Sequence, residues 1–168
     1  DEIARNRGML VLTLEMPAAT AEAFLAAAAR RDLRTVLDPG GIVPSTDAAA
    51  VFAHPPEVMK PNEHEALLLT GVRVAGLDSA RRAAAILRRR GVRTVLITHG
   101  RRGGYLFGPG GEARIPAPRP PASAAADSTG CGDQATAVLA CLLAEGMPEA
   151  AAARQAVAAG ALQFSRPG

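Results

Sequence analysis

The sequence predicts an α/β layered fold with a mostly parallel central sheet. Short apolar runs of strand length alternate along the chain with longer alanine- and leucine-rich stretches of helical length. Proline or an acidic first turn opens the helical stretches, and glycine closes two of them, at Gly71 and Gly91. Strands separated by a helix pair in parallel through right-handed crossovers, so the alternation fixes the sheet type.

The first unit is the apolar run of residues 9–14 followed by the alanine-rich stretch from Pro17 to Arg30, a strand and then a helix begun by proline. Residues 35–38 form a second strand, stopped by Pro39-Gly40-Gly41. Residues 44–51 are expected to hold a further helix. Residues 58–60 make a short third strand before Pro61. Two helices follow, residues 62–70 with Glu63 and Glu65 in the first turn, and residues 78–90. Residues 94–98, Thr-Val-Leu-Ile-Thr, are the clearest strand. They run into the glycine-rich turn of residues 99–104 and then into two short strands, 105–107 and 113–115, paired as a hairpin around residues 108–111. The four prolines of residues 116–126 mark an exposed connector. The last helices are expected over residues 129–144 and 148–164, the second with proline near its start.

A chain of 168 residues, 48% hydrophobic and 21% charged, has the length and apolar content of one globular domain. It begins on a charged stub, residues 1–7, directly ahead of a core strand, and stops at residues 166–168 directly after a helix, so both ends read as cut. No uninterrupted apolar run reaches the roughly 18 residues of a membrane span, and no signal peptide is evident, which predicts a cytoplasmic protein without a membrane partner. Cys131 and Cys141 share a helix at a spacing that suits neither a local disulfide nor zinc. Net charge is +3, but the arginines are scattered and the chain has no tryptophan, one tyrosine and four phenylalanines. A basic groove lined with stacking aromatics is absent, which argues against nucleic acid. Lys60, the only lysine, reads together with the abundant alanine as composition bias. His54, His64 and His99 lack ligand spacing.

The most informative segment is Asp127-Ser128-Thr129-Gly130-Cys131-Gly132-Asp133, a glycine-containing loop that opens a helix. Unpaired N–H groups and the positive end of the helix dipole favour a phosphate there, and glycine lets the backbone approach it. A carboxylate in that first turn repels a phosphate unless its task is to take a proton from the attacking hydroxyl. Taken alone, Asp133 reads sooner as a residue that complements the helix dipole than as a base.

Three further segments give this pattern a context. Lys60-Pro61-Asn62-Glu63-His64-Glu65 precedes Leu69-Thr70-Gly71, Ile97-Thr98-His99-Gly100 leads into Arg101-Arg102-Gly103-Gly104, and Leu14-Glu15-Met16-Pro17 and Asp38-Pro39 lie upstream. In this order and at these spacings the segments resemble the ribokinase-like family of sugar kinases, also called the PfkB family, and within it the ribokinases most. The resemblance covers essentially the whole chain but only the C-terminal part of the family's length. It implies the ribokinase-like, Rossmann-type layered fold without the family's N-terminal part and lid.

The resemblance also implies roles. Asp133 is the general base, and Gly130, Cys131 and Gly132 supply an anion hole. Asn62 and Glu65 serve Mg²⁺ through water and the phosphates. Thr98, His99, Gly100, Arg101, Arg102 and Gly103, with Gly132, line ATP. Asp127 and Thr129 hold a monovalent cation such as K⁺, although a local helix cap explains Asp127 as well. The implied partners are a small sugar substrate and ATP, and the family pattern allows a homodimer of the full-length protein. Two positions depart from the pattern. After Asp133 this chain has Gln134-Ala135-Thr136-Ala137 where the family continues with a bulky aromatic and then a glycine, and Val157 stands where the family carries an asparagine near the adenine. The expected activity is ATP-dependent phosphoryl transfer to a hydroxyl of a sugar-like substrate, with a non-catalytic sugar- or nucleotide-sensing module of the same fold as the alternative. A dinucleotide-binding domain is disfavoured, because no Gly-x-Gly-x-x-Gly follows the first strand. Of the two thiols, Cys131 at the helix start is expected to be the reactive one and Cys141 the buried one.

Overall fold

The computed structural model describes residues 8–119 and 127–165. The charged stub, residues 120–126 of the connector and residues 166–168 lie outside them. In chain order the elements are β1 (Met9–Thr13), α1 (Ala18–Ala29), β2 (Arg34–Asp38), β3 (Val58–Met59), α2 (Glu63–Thr70), α3 (Leu77–Arg89), β4 (Thr94–Thr98), β5 (Gly104–Gly108), β6 (Gly111–Ile115), α4 (Cys131–Ala144) and α5 (Glu149–Gln163). The strands form one sheet in the order β1-β2-β3-β4-β5-β6. β1 to β4 run parallel, with Leu10 opposite Thr35, Val36 opposite Val58 and Val58 opposite Thr94. β5 and β6 complete the sheet as an antiparallel hairpin, with Val95 opposite Phe107 and Leu106 opposite Ala113.

Alternation along the strands splits the core into two layers. Leu37, Met59, Val95, Ile97 and Phe107 face α1, α2 and α3, where they meet Leu25, Leu69 and Leu87. Val36, Val58, Leu96 and Leu106 face the other way, against Leu139, Leu143, Ala152 and Val157 of α4 and α5. The result is a three-layer α/β/α domain of the predicted class. Arg34 ties the layers at one end, where it makes a two-point ion pair with Glu57 at 3.0 Å and donates to Leu143 O at 2.6 Å.

The helix expected over residues 44–51 is replaced by turns and a single 3₁₀ turn, Ala50–Phe52. Local side chains explain the difference. Thr46 Oγ1 accepts from the Val43 N–H at 3.0 Å, which closes a turn at the expected start, and Asp47 Oδ1 accepts from the Ala49 N–H at 3.3 Å, a backbone donor that a helix would need. The final helices begin later than expected, at Cys131 and Glu149, with Gly130 and Pro148 as their N-caps.

Candidate active site

The parallel strands β2, β3 and β4 end in a row of polar residues: Asp38 closes β2, Lys60 follows β3 and Thr98 closes β4. In open parallel sheets this edge is where ligands bind. Pro61 O accepts from the Thr98 N–H at 2.9 Å and Asn62 bridges to Thr98, so two of the predicted segments lie side by side.

Asn62 caps α2. Its Oδ1 accepts from the N–H groups of His64 and Glu65 at 2.8 and 2.9 Å, while Glu65 accepts from Asn62 N and Nδ2 at 2.8 and 2.7 Å. This is a reciprocal capping box, and it is why Asn-x-x-Glu folds as a unit here. Burial pushes the Glu65 carboxyl above its ordinary pKa, and the nearby Asp38 charge adds to this; the Asn62 N–H and the Lys60 charge oppose it. With both Glu65 oxygens already accepting hydrogen bonds, the pair suits a metal reached through water, the mode Mg²⁺ favours, better than a fully protein-ligated ion. Among the described residues no cluster of three or more His, Cys, Asp or Glu stands ready to hold a metal.

Before α4 the chain is arranged differently. Asp127 Oδ1 accepts from the Thr129 N–H at 3.1 Å and from its hydroxyl at 3.0 Å, bonds that hold the Asp127 carboxyl below the usual carboxylate range. Asp127 N donates to Phe164 O at 3.1 Å, and the Arg101 guanidinium lies 5.4 Å over the Phe164 ring. The end of α5 therefore joins the 100–102 turn to the 127–131 segment. Gly130 then enters α4 in the left-handed conformation, φ 73°, which glycine adopts without strain. The Cys131 N–H donates to Ser128 O at 3.2 Å, whereas the N–H groups of Gly130, Gly132 and Asp133 have no partner among the described residues. Asp133 is exposed, with no ion pair or hydrogen bond from its carboxylate among those residues.

Several expected residues have other demands on them. Gly103 has φ 90°, and a Cβ there would collide with Ile115 O and the backbone of Pro116 and Ala117, so packing alone requires glycine. Arg102 donates to Ala75 O at 3.0 Å. His99 donates its N–H to Gly103 O at 2.7 Å, while its Nδ1 is buried with no partner among the described residues. Val157 is buried in the core, its Cγ2 close to Gly104. The expectation for the two thiols is overturned: Cys141 is exposed, whereas Cys131 is partly buried with its Sγ 3.8 Å from Asp127 O. Burial first, then the Asp127 charge, pushes the Cys131 thiol up rather than down.

Asp38 and Lys60 lie in segments that carry the family resemblance, but neither they nor Thr136 are given a role at the site by the sequence. Lys60 is buried and its Nζ lies 3.0 Å from Asp38 Oδ2, which also accepts from the Thr136 hydroxyl. The Thr136 hydroxyl in turn lies 3.0 Å from Gly132 O, and a Cβ on Gly132 would sit 3.8 Å from the Lys60 ammonium. Their signals are a place in those two segments and, for Lys60, a lone lysine in an arginine-rich chain, which composition bias does not explain at a buried position.

The model of the pfkB family carbohydrate kinases matches residues 3–168. Ribokinase of Arabidopsis thaliana is 32% identical over 161 residues, 96% of this chain and 42% of that protein. The structure of Arabidopsis thaliana ribokinase complexed with ribose and ATP superposes with a TM-score of 0.87 at 28% identity, covering 99% of this chain and 53% of that one. Ribokinase from Thermotoga maritima gives a TM-score of 0.74 at 26% identity, over 95% of this chain and 51% of that one. The chain thus spans about half the length, or less, of these relatives. Among the described residues no helix is long and apolar enough to cross a membrane.

Proposed function

The chain belongs to the pfkB family of carbohydrate kinases, and from that premise we propose that it is the C-terminal, nucleotide-binding part of an ATP-dependent kinase acting on a hydroxyl of a sugar or sugar-like acceptor. The observation that supports this reading most is the start of α4. Among the described residues the N–H groups of Gly130, Gly132 and Asp133 have no partner, and neither does the Asp133 carboxylate of the same turn. β1, at the edge of the sheet with Val11 exposed on it, is where the remainder of a longer chain would join.

In this reading Asp133 accepts the proton of the acceptor hydroxyl as its oxygen attacks the γ-phosphorus, and the bond to the ADP oxygen breaks. The Gly130 and Gly132 amides stabilise the charge gathered on the transferring phosphoryl, with the Cys131 amide spent on Ser128 and its place taken by that of Asp133. Asn62 and Glu65 hold Mg²⁺ through water, and the ion when bound neutralises charge on the phosphates. The turn formed by Thr98, His99, Gly100 and Arg101 lines the nucleotide, the ligand that accompanies ribose in the Arabidopsis structure. Asp127 and Thr129 are the residues for a monovalent cation. The test is transfer of label from γ-labelled ATP by the full-length protein to a panel of pentoses, hexoses and polyols. Labelling of one acceptor class is expected; no transfer to any, with no Mg-ATP binding, refutes the reading.

A further inference from the structure

A buried ion pair is weak evidence for stability, because taking two charges out of water offsets most of their attraction. Lys60 and Asp38 form such a pair, with side chains 3% and 6% exposed. The position of this pair adds to the puzzle. The Lys60 ammonium sits under the first turn of α4, where the helix dipole is positive and repels a cation. Folding alone gives no reason to keep a lysine there.

The hydrogen bonds around the pair supply one. Asp38 Oδ1 accepts from the Gly40 N–H at 3.1 Å, which fixes the carboxylate on the turn after β2. Its Oδ2 meets the Lys60 ammonium and the Thr136 hydroxyl, and that hydroxyl also contacts Gly132 O. Thr136 is one helical turn beyond Gly132, so the cluster grips the turn that carries the partnerless amides and Asp133. Glu65 lies within reach of the Asp38 and Lys60 charges, which extends the polar contact to the α2 cap. Side-chain networks of this kind hold geometry more firmly than their separate bonds suggest.

We infer that Asp38, Lys60 and Thr136 are positioning residues for phosphoryl transfer: together they clamp the first turn of α4 to the ends of β2 and β3, so that the amides of residues 130–133 and the Asp133 carboxylate keep their aim. The inference rests on the kinase reading above and adds to it residues that touch neither sugar nor nucleotide. A misplacement of about 1 Å at reacting groups costs on the order of 10²-fold in rate. The amides serve the transition state more than the bound nucleotide, so the loss falls on kcat rather than on KM for ATP.

Thr136→Val tests this in the full-length kinase, because it removes the hydroxyl and keeps the shape. The expected result is a fall in kcat of roughly 10- to 100-fold with KM for ATP changed little, recovery by Thr136→Ser, and faster amide hydrogen exchange over residues 130–133. Asp38→Asn, which keeps shape and loses charge, is expected to lower kcat in the same way and serves if the valine variant melts below the assay temperature. Lys60→Met is less informative, since it leaves Asp38 buried without its cation. Normal kcat in a folded Thr136→Val or Asp38→Asn enzyme overturns the inference alone. A wild-type enzyme that phosphorylates no sugar overturns the kinase reading, and the inference with it.

Discussion

Around Asn62 the polar groups at a helix start are satisfied by one another, whereas at the start of α4 several amides and the Asp133 carboxylate have no partner among the described residues. In the first region the Asn62 amide, the Glu65 carboxylate and the first N–H groups of α2 satisfy each other in a closed set of four hydrogen bonds. In the second, one of the early amides of α4 is bonded to Ser128 and its neighbours are not, and Asp133 has no partner among the described residues. The difference teaches where to look for chemistry. A group that completes a helix cap is explained by folding whether or not it also serves a ligand, but an amide and a carboxylate left open at a helix start are explained by folding only as exposed groups. Substitutions in the two regions should therefore separate stability from activity.

The largest contrast is expected at Asp133. Asp133→Asn keeps the shape of an exposed side chain, so the melting temperature should stay near that of the wild type. Loss of the general base should lower phosphoryl transfer by the full-length enzyme by about 10²- to 10⁴-fold while Mg-ATP still binds. Parallel measurement of kcat, nucleotide affinity and thermal melting checks it; near-normal turnover would remove Asp133 from the proton-transfer step.

Asn62→Ala should behave in the opposite way. It deletes the cap of α2 and withdraws a donor from the half-buried Glu65, which together cost about 1–3 kcal/mol. Denaturant melts of this chain would read that loss directly. A variant as stable as the wild type would mean that the capping box contributes nothing to folding, and the contrast between the two regions would fail.

Much of this was legible in the sequence, for physical reasons that differ by segment. The strand at residues 94–98 and the helices closed by Gly71 and Gly91 are visible because run length and a glycine stop are local signals, and both glycines do adopt positive φ. The hairpin of β5 and β6 follows from turn chemistry in the same way. Residues 44–51 misled because alanine content favours helix while Thr46 and Asp47 compete for the backbone, a contest composition does not decide. At the candidate site, Asn62 and Glu65 could be read as a pair from their spacing. The clamp could not. Asp38 and Thr136 meet across 98 positions of chain, and the Asp38-Pro39 segment carries nothing that points to Thr136. Val157 shows the reverse failure, since a matching position in a helix says nothing of whether its side chain faces a site or, as here, the core beside Gly104.

The smallest effect sharpens the comparison within α4 itself, through its two cysteines. A thiol at a helix start is favoured as thiolate by the nearby amides, which argues for a reactive Cys131. Two local facts oppose this. Burial disfavours the charged sulfur, and the Asp127 carboxylate, held ionised by its bonds to Thr129, repels it; the balance raises the Cys131 pKa above its ordinary value. Cys141 is exposed two to three turns further on, where alkylating reagents meet it freely. Cys141 should therefore label about 3- to 10-fold faster than Cys131, because it is open to reagent while burial and the Asp127 charge disfavour the Cys131 thiolate. Limited alkylation near neutral pH followed by mass spectrometry of the two peptides measures the ratio. Faster labelling at Cys131 would show that the amide field at the start of α4 outweighs burial and the Asp127 charge, a stronger field than the open amides are assigned here.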